Sequence, residues 1–119
     1  MEKLDAYIDA HRARRDLAQR EAALRAAEAR LAAEAAAQRL GERLGLHRVV
    51  LFGSLVRGRF HERSDIDLAV EGLRDGALTD AMAIAEEDPR FEFSIVPIER
   101  ARDYIRDAIE REGLQLWPR

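Results

Sequence analysis

The amino-terminal third of the chain contains no proline, and the first glycine of the chain is Gly41. From Glu2 to about Leu44 the sequence consists largely of Ala, Leu, Glu, Arg and Gln, which have the highest intrinsic helix propensities. A run of this length without a breaker favours one uninterrupted helix, because proline and glycine are the residues that most often end helices. We therefore predict a single long N-terminal helix over residues 1–44.

Leucines recur every seven residues along this predicted helix, at Leu17, Leu24 and Leu31, with Ala27 and Ala35 near the intervening positions. Such a stripe is typical of a helix that packs against another helix, and alanine permits a close approach. The stripe either forms a coiled coil, in a homodimer or with a partner protein, or packs the helix back onto its own domain. The sequence does not choose between dimerisation and docking of a partner.

The length and composition of the chain limit the number of cores it can form and the kinds of partner and site it can have. At 119 residues the chain can form one compact core but not two. Its formal net charge is only −3 although 36% of the residues are charged, so we expect no stable DNA binding. The absence of cysteine excludes disulfides and thiolate metal sites. The charged amino terminus is unlike a signal peptide and no apolar run is long enough for a membrane span, so we expect a cytoplasmic protein without membrane contact.

After Gly45 the hydrophobic pattern changes from helical spacing to short apolar or alternating runs, which are typical of strands. "HRVVLFG" is an apolar run before a Gly-Ser turn, "DIDLAVEG" and "RFEFSIVP" alternate, and "LQLW" is a candidate for a short last strand. These runs predict strands at 47–53, 65–72, 90–97 and 114–117.

Two later segments have helical spacing, residues 77–88, which Pro89 closes, and residues 99–113. A further short helix is expected to begin at the Gly-Ser turn after the first strand. This order of elements predicts an α/β (α+β) domain over residues 45–119, with a small mixed sheet flanked by helices, preceded by the long helix at 1–44.

Two aspartates, Asp65 and Asp67, stand one residue apart at the start of the second predicted strand. Alternate residues of a strand point to the same face, so their α carbons lie about 7 Å apart with the carboxylates on one side. Like charges this close repel each other unless a cation lies between them, and Mg²⁺ prefers oxygen ligands together with substrate phosphates. We interpret Asp65 and Asp67 as metal ligands, although a D-x-D pair alone is usually solvated.

The residues after the first predicted strand are suited to a phosphate. Glycine at Gly53 allows close approach of the backbone, and the Ser54 hydroxyl with exposed N–H groups can hold a phosphate. Arg57 comes one helical turn later and can donate to the same phosphate. Each segment alone is an ordinary turn or polar loop, but the combination predicts phosphoryl or nucleotidyl transfer assisted by two metal ions.

Gly53-Ser54, ten residues and then Asp65-Ile66-Asp67 resemble the G-S-x10-D-x-D signature of the DNA polymerase beta nucleotidyltransferase superfamily. The segments "LFGS", "RG", "SDIDL", "IVPIERA" and "EG" follow in the order seen in the minimal nucleotidyltransferases, or MNT proteins, often encoded beside HEPN partners. The similarity covers about residues 40–117.

The resemblance implies a polymerase-beta-like nucleotidyltransferase fold that binds ATP or another NTP with Mg²⁺ (or Mn²⁺) at Gly53 and Ser54. It also implies that Asp65 and Asp67 are the catalytic, metal-binding residues. Related MNT antitoxins imply transfer of AMP from ATP to a tyrosine of a HEPN toxin. Transfer to a small molecule, as in aminoglycoside-modifying relatives, is disfavoured because those enzymes carry an added helical domain.

The chain departs from the family pattern at one position. The third carboxylate usually lies on the following strand in a pattern such as V-D-L-V-P-L-E, and in "FSIVPIE" Ser94 occupies its place. Glu92, two residues earlier, is the alternative third metal ligand; otherwise it is an exposed charge beside two phenylalanines. The protein is therefore either a nucleotidyltransferase or a catalytically degenerate MNT-fold protein that acts as a non-enzymatic binding or antitoxin partner.

Overall fold

The computed structural model describes residues 2–119, which form three α-helices and four strands. The predicted mixed α/β architecture and its long N-terminal helix are confirmed. A 3-10 turn at Ile98–Arg100 joins the third strand to the third helix. The elements are α1 (Glu2–Leu44), β1 (Arg48–Phe52), β2 (Ile66–Glu71), α2 (Leu78–Ala85), β3 (Phe93–Pro97), α3 (Asp103–Glu112) and β4 (Leu114–Trp117).

The four strands form one mixed sheet in the order β3-β2-β1-β4. β1 runs antiparallel to both β2 and β4, whereas β2 and β3 are parallel and are connected through α2. The register pairs Phe52 with Asp67 and Asp67 with Ser94. The end of β1 and the beginnings of β2 and β3 therefore meet at one edge of the sheet, and Asp67 lies between the other two strands there.

The last third of α1 packs against one face of the sheet through small side chains. Ala33, Ala36 and Leu40 are completely buried, in one cluster with Leu51 and Leu68 of the sheet. Alanines let the helix axis approach the sheet closely, as helix packing on small residues generally does. The opposite face carries a smaller cluster under α3, formed by Val50, Ala69, Ile98 and Ile109.

The leucine stripe of α1 is not the face that packs on the domain. Leu17, Leu24 and Leu31 are 56%, 65% and 66% exposed, and residues 2–24 are exposed on every side. Of the two alternatives for the stripe, packing of the helix back onto its own domain is therefore wrong, because the alanine face fills that role. The helix extends far beyond the sheet and accounts for the 66 Å long axis of the molecule. The division of the chain at residue 44 stays a prediction.

The Gly-Ser turn does not begin a helix, contrary to the sequence prediction. Residues 54–58 form a turn in which Arg57 N–H donates to the Gly53 carbonyl at 3.2 Å and Arg59 N–H donates to the Ser54 carbonyl at 2.9 Å. Gly58, with φ of 72°, ends this single turn, because a left-handed residue cannot continue a right-handed helix.

The third strand begins at Phe93, three residues later than predicted. Arg90 N–H donates to the Asp88 carboxylate at 3.1 Å, and the two side chains also form an ion pair at 2.8 Å. These bonds, together with Pro89, hold the preceding residues in a turn rather than a strand. No helix within residues 2–119 has the length and apolar character needed to cross a membrane.

Candidate functional site

The predicted site residues come together at the edge of the sheet where β1 ends. Gly53 and Ser54 directly follow β1, Asp65 directly precedes β2, and Asp67 is the second residue of β2. Strand alternation sends Ile66 and Leu68 into the core beneath α1, so that Asp67 points to the opposite face of the sheet. The packing of its two neighbours thus fixes the direction of the Asp67 carboxylate.

Gly53 is required at the contact between the turn and Asp67. Its φ is +82°, a left-handed conformation that glycine adopts without steric cost. A Cβ at this position would overlap Oδ2 of Asp67 and would lie 3.0 Å from its Cγ. The carboxylate therefore packs directly against the backbone of the turn, which joins the predicted metal-binding and phosphate-binding parts of the site.

The Asp67 carboxylate is in an unfavourable electrostatic environment. Its pKa is raised from 3.8 to about 6, first by burial and second by the negative charge of Asp65, with a partial offset from the Arg57 guanidinium. A raised pKa means that the ionised form lacks adequate stabilisation from the protein's own groups. A divalent cation between the two carboxylates would relieve both causes, and two carboxylates together with substrate phosphates are a donor set that fits Mg²⁺.

Arg57 reaches back over the turn. Its Nε lies 3.4 Å from the Gly53 carbonyl oxygen and 3.7 Å from Oε2 of Glu112 at the end of α3. The positive charge of the guanidinium lowers the pKa of Asp67. A phosphate on the turn would meet a cation here as well as backbone N–H groups.

Ser94 is the residue predicted to stand in place of the family's third carboxylate. The β2–β3 register places Ser94 directly beside Asp67, and Ser94 is half-buried. Glu92 is exposed and precedes β3, where its backbone carbonyl accepts a hydrogen bond from Ile66 N–H at 2.8 Å. Residues 2–119 contain no group of three His, Cys, Asp or Glu side chains that could hold a metal ion. A role for Glu92 as third ligand stays a prediction.

A turn that the sequence analysis did not identify leads the chain into Asp65. The N–H of His61 donates to the Ser64 hydroxyl at 3.0 Å, and Ser64 N–H donates to the His61 carbonyl at 2.9 Å. Arg63 N–H donates to Nδ1 of His61 at 3.2 Å. His61 is therefore a structural residue of this loop, and the signal for it is a serine placed three residues after a turn start.

An open groove of about 810 Å³ lies between this loop and the exposed part of α1. On the helix side it carries Arg25, whose guanidinium carbon lies 5.0 Å from the centre of the Phe91 ring. The groove lies on the α1 side of the sheet, and none of the predicted site residues lines it. It is lined by Ala18, Glu21, Ala22, Arg25, Phe60, His61, Glu62 and Arg63.

The raised pKa of Asp67 predicts a pH-dependent gain in stability from Asp67→Asn. A carboxyl whose folded pKa lies above its unfolded value stabilises the fold below the unfolded pKa, and this contribution is lost as pH rises through the folded pKa. Without metal, the variant should gain stability over the wild type between about pH 4 and pH 7, reaching about 1 kcal/mol after allowance for solvent screening.

Urea unfolding at a series of pH values measures this gain. Asp16→Asn, on the exposed part of α1, removes the same charge away from the sheet and serves as the control. A gain that is equal at all pH values, or equal in the control, would contradict the electrostatic origin.

Comparison with known proteins identifies the family of the chain. The family model "Polymerase beta, Nucleotidyltransferase" matches residues 35–119. Comparison with curated protein sequences gave no match.

Two solved structures have a similar fold. A crystal structure of a toxin–antitoxin with AMP-PNP is 26% identical, covers 71% of this chain and 72% of that chain, and has a TM-score of 0.62. A crystal structure of a mutant of the toxin–antitoxin MntA-HpeT is 24% identical over the same shares of the two chains, with a TM-score of 0.62. Because the family model spans well over half of the sequence, the resemblance is confirmed and the chain belongs to the polymerase beta nucleotidyltransferase family.

Proposed function

We propose that this protein is a metal-dependent nucleotidyltransferase that transfers AMP from ATP to a hydroxyl group of a partner protein, in the antitoxin role of a toxin–antitoxin pair. The observation that carries the proposal is the packing of the Asp67 carboxylate against Gly53, in a chain of this family. That contact brings the metal-binding and the phosphate-binding residues into one site. The structure of a similar toxin–antitoxin with AMP-PNP supports nucleotide binding and a protein partner.

Each residue of the site has a role in this reaction. Asp65 and Asp67 would hold Mg²⁺ (or Mn²⁺), which would neutralise triphosphate charge and activate the attacking oxygen. The open backbone at Gly53 admits the phosphates, and Ser54 and Arg57 donate hydrogen bonds to them. In the transfer, the acceptor oxygen forms a bond to the α-phosphorus, the bond from that phosphorus to the bridging oxygen of the leaving pyrophosphate breaks, and the proton of the acceptor hydroxyl passes to water.

The partner in this proposal is a HEPN-type protein, and α1 supplies a surface for association. Leu17, Leu24 and Leu31 form an exposed stripe on a helix that the domain does not otherwise cover. Single exposed leucines add little to the stability of a solvated helix, whereas leucines spaced every seven residues are suited to packing on another helix. The stripe is therefore a candidate seam for a homodimer or for a complex with the partner.

A second function is favoured by one observation, the presence of Ser94 beside Asp67. A serine cannot supply the third carboxylate that normally holds the metal ion activating the acceptor hydroxyl. The protein would then bind nucleotide and partner without transferring AMP. The two functions share the binding site and differ in catalysis.

Mg²⁺-dependent ATP binding is the first prediction of the proposal. Calorimetric titration should show binding of ATP only with Mg²⁺, and the double variant Asp65→Asn, Asp67→Asn should weaken it by about 100-fold or more, because metal contacts contribute several kcal/mol. Asp9→Asn, Asp16→Asn removes two charges from the exposed helix and is the matched control, which should bind as the wild type does. A folded wild type that binds no Mg²⁺-ATP would overturn the proposal.

Restoring the missing carboxylate should strengthen metal binding. Ser94→Asp places a third carboxylate next to Asp67, so the affinity for Mn²⁺ should rise by about ten-fold, whereas Ser94→Asn, of the same shape without the charge, should not raise it. The affinities are measured by calorimetry, and the rate of AMP transfer to a HEPN-type partner should rise in parallel.

The assay of AMP transfer also tests whether Glu92 is the third metal ligand. If Glu92 is the third ligand, Glu92→Gln should cut transfer by orders of magnitude while nucleotide binding persists. If Ser94→Asp raises neither metal affinity nor transfer, the correspondence of Ser94 to the family's third carboxylate is wrong.

The leucine stripe predicts association through α1. Replacing Leu17, Leu24 and Leu31 by alanine keeps helix propensity but removes the apolar seam, so self-association or partner binding should be lost. Sedimentation velocity of the chain alone and with the partner measures both, and Leu4→Ala, an exposed leucine of the same helix outside the seven-residue series, is the control. If the wild type stays monomeric, the homodimer is excluded. If the triple variant still binds the partner, the stripe is excluded as the partner-binding surface.

A further inference from the structure

The "EG" segment near the end of the chain, Glu112-Gly113, is a motif to which the proposed function gives no role. α3 ends at Glu112, and the chain then turns directly into β4. A Cβ on Gly113 would overlap the Ile109 carbonyl and would lie 2.5 Å from Cγ1 of Val50 in β1. The glycine therefore lets the end of α3 lie tightly against β1.

The β1–β4 register determines where Glu112 comes to lie. Leu114 pairs with Leu51, and because the two strands are antiparallel, the residues before β4 run alongside the residues after β1. Glu112 is thereby brought beside the turn that begins at Gly53, and its Oε2 lies 3.7 Å from Nε of Arg57. A carboxylate from the far end of the chain thus reaches the candidate phosphate site.

Glu112 contacts only one edge of the Arg57 side chain. Within residues 2–119 this side chain donates one hydrogen bond, from Nε to the Gly53 carbonyl at 3.4 Å, and the Glu112 carboxylate forms an ion pair with the same nitrogen at 3.7 Å, which is longer than a hydrogen bond. The two terminal nitrogens, which form the fork that matches a phosphate, keep their hydrogen-bonding capacity. A carboxylate that competed with phosphate would be expected to occupy that fork.

We propose that Glu112 is a positioning residue, which together with the Gly53 carbonyl holds the Arg57 guanidinium by its Nε so that its terminal nitrogens face a nucleotide phosphate on the Gly-Ser turn. This inference rests on the proposed nucleotide site. Arginine is long and flexible, and fixing it before the ligand arrives reduces the entropy lost on binding. The side chains of Arg57 and Glu112 are 52% and 36% exposed, so their ion pair should contribute little to folding stability.

The direction in which the Kd for nucleotide changes when Glu112 is replaced distinguishes a positioning role from a simple effect of its charge. Removing a negative charge near a triphosphate should by itself strengthen nucleotide binding, because like charges repel. Loss of the contact that holds Arg57 should instead weaken nucleotide binding. Glu110→Gln is the matched control, since Glu110 belongs to the same helix end and pairs instead with Arg48, at 2.8 Å.

The test is calorimetric titration of Mg²⁺-ATP into the full chain and its variants. Glu112→Gln should raise the Kd by about five-fold, as loss of a partly exposed charged contact would, and Glu110→Gln should not raise it. In the Arg57→Ala background, Glu112→Gln should cause no further rise, because the residue it supports is gone. Urea unfolding of each variant should match the wild type; if Glu112→Gln is destabilised, the cycle is repeated with Glu112→Asp, which withdraws the charge from Nε.

Each contrary result has a distinct meaning. A wild type that binds no Mg²⁺-ATP overturns the proposed function and this inference with it. A wild type that binds, with a Kd that Glu112→Gln leaves unchanged or lowers, overturns the positioning role alone. An equal rise in the Arg57→Ala background also overturns it, because the effect would then not pass through Arg57.

Discussion

The contact between the Asp67 carboxylate and the backbone of Gly53 determines the arrangement of the rest of the site. It exists because residue 53 has no Cβ and because its φ of +82° turns the chain away from the sheet immediately after β1. The pairing of Phe52 with Asp67 places this contact at the last rung of the β1–β2 ladder. A shift of register by one residue would send Asp67 into the core and Ile66 or Leu68 into the site.

The site is electrostatically costly, and the core on the other face of the sheet compensates for it. Asp67 remains half-buried beside Asp65 with a pKa raised to about 6, so the apo protein holds a charge that its own groups do not stabilise well. Ile66 and Leu68, both fully buried beneath α1, keep β2 in place despite that charge. Such a conflict between stability and a local charge is typical of functional sites.

The sequence was sufficient for features that depend on local pattern and insufficient for those that depend on contacts distant in the chain. The long helix, the alternation of β2 and the D-x-D spacing each follow from neighbouring residues, and the structure agrees. The turn after Ser54 is predicted as a helix start, yet Gly58 ends it within one turn. The contact of Arg57 with Glu112 depends on the β1–β4 pairing, which no local pattern encodes.

The sequence also did not predict which face of α1 packs on the sheet, for a different reason. Alanine is so frequent along this helix that its buried positions do not stand out, whereas three leucines in a seven-residue series do. The alanine face gains from close approach to the sheet rather than from large apolar area, so hydrophobicity is a poor guide to it. The leucine stripe remains available for association.

The two ends of α1 have different surroundings. Its buried end is part of the core that fixes β2, while its exposed part borders the groove whose loop leads into Asp65. Under the proposed function, a protein bound along the exposed part of α1 would contact this groove, whereas Asp67 points to the face of the sheet opposite α1. The acceptor hydroxyl would therefore have to come from a part of the partner that extends past the edge of the sheet to that face.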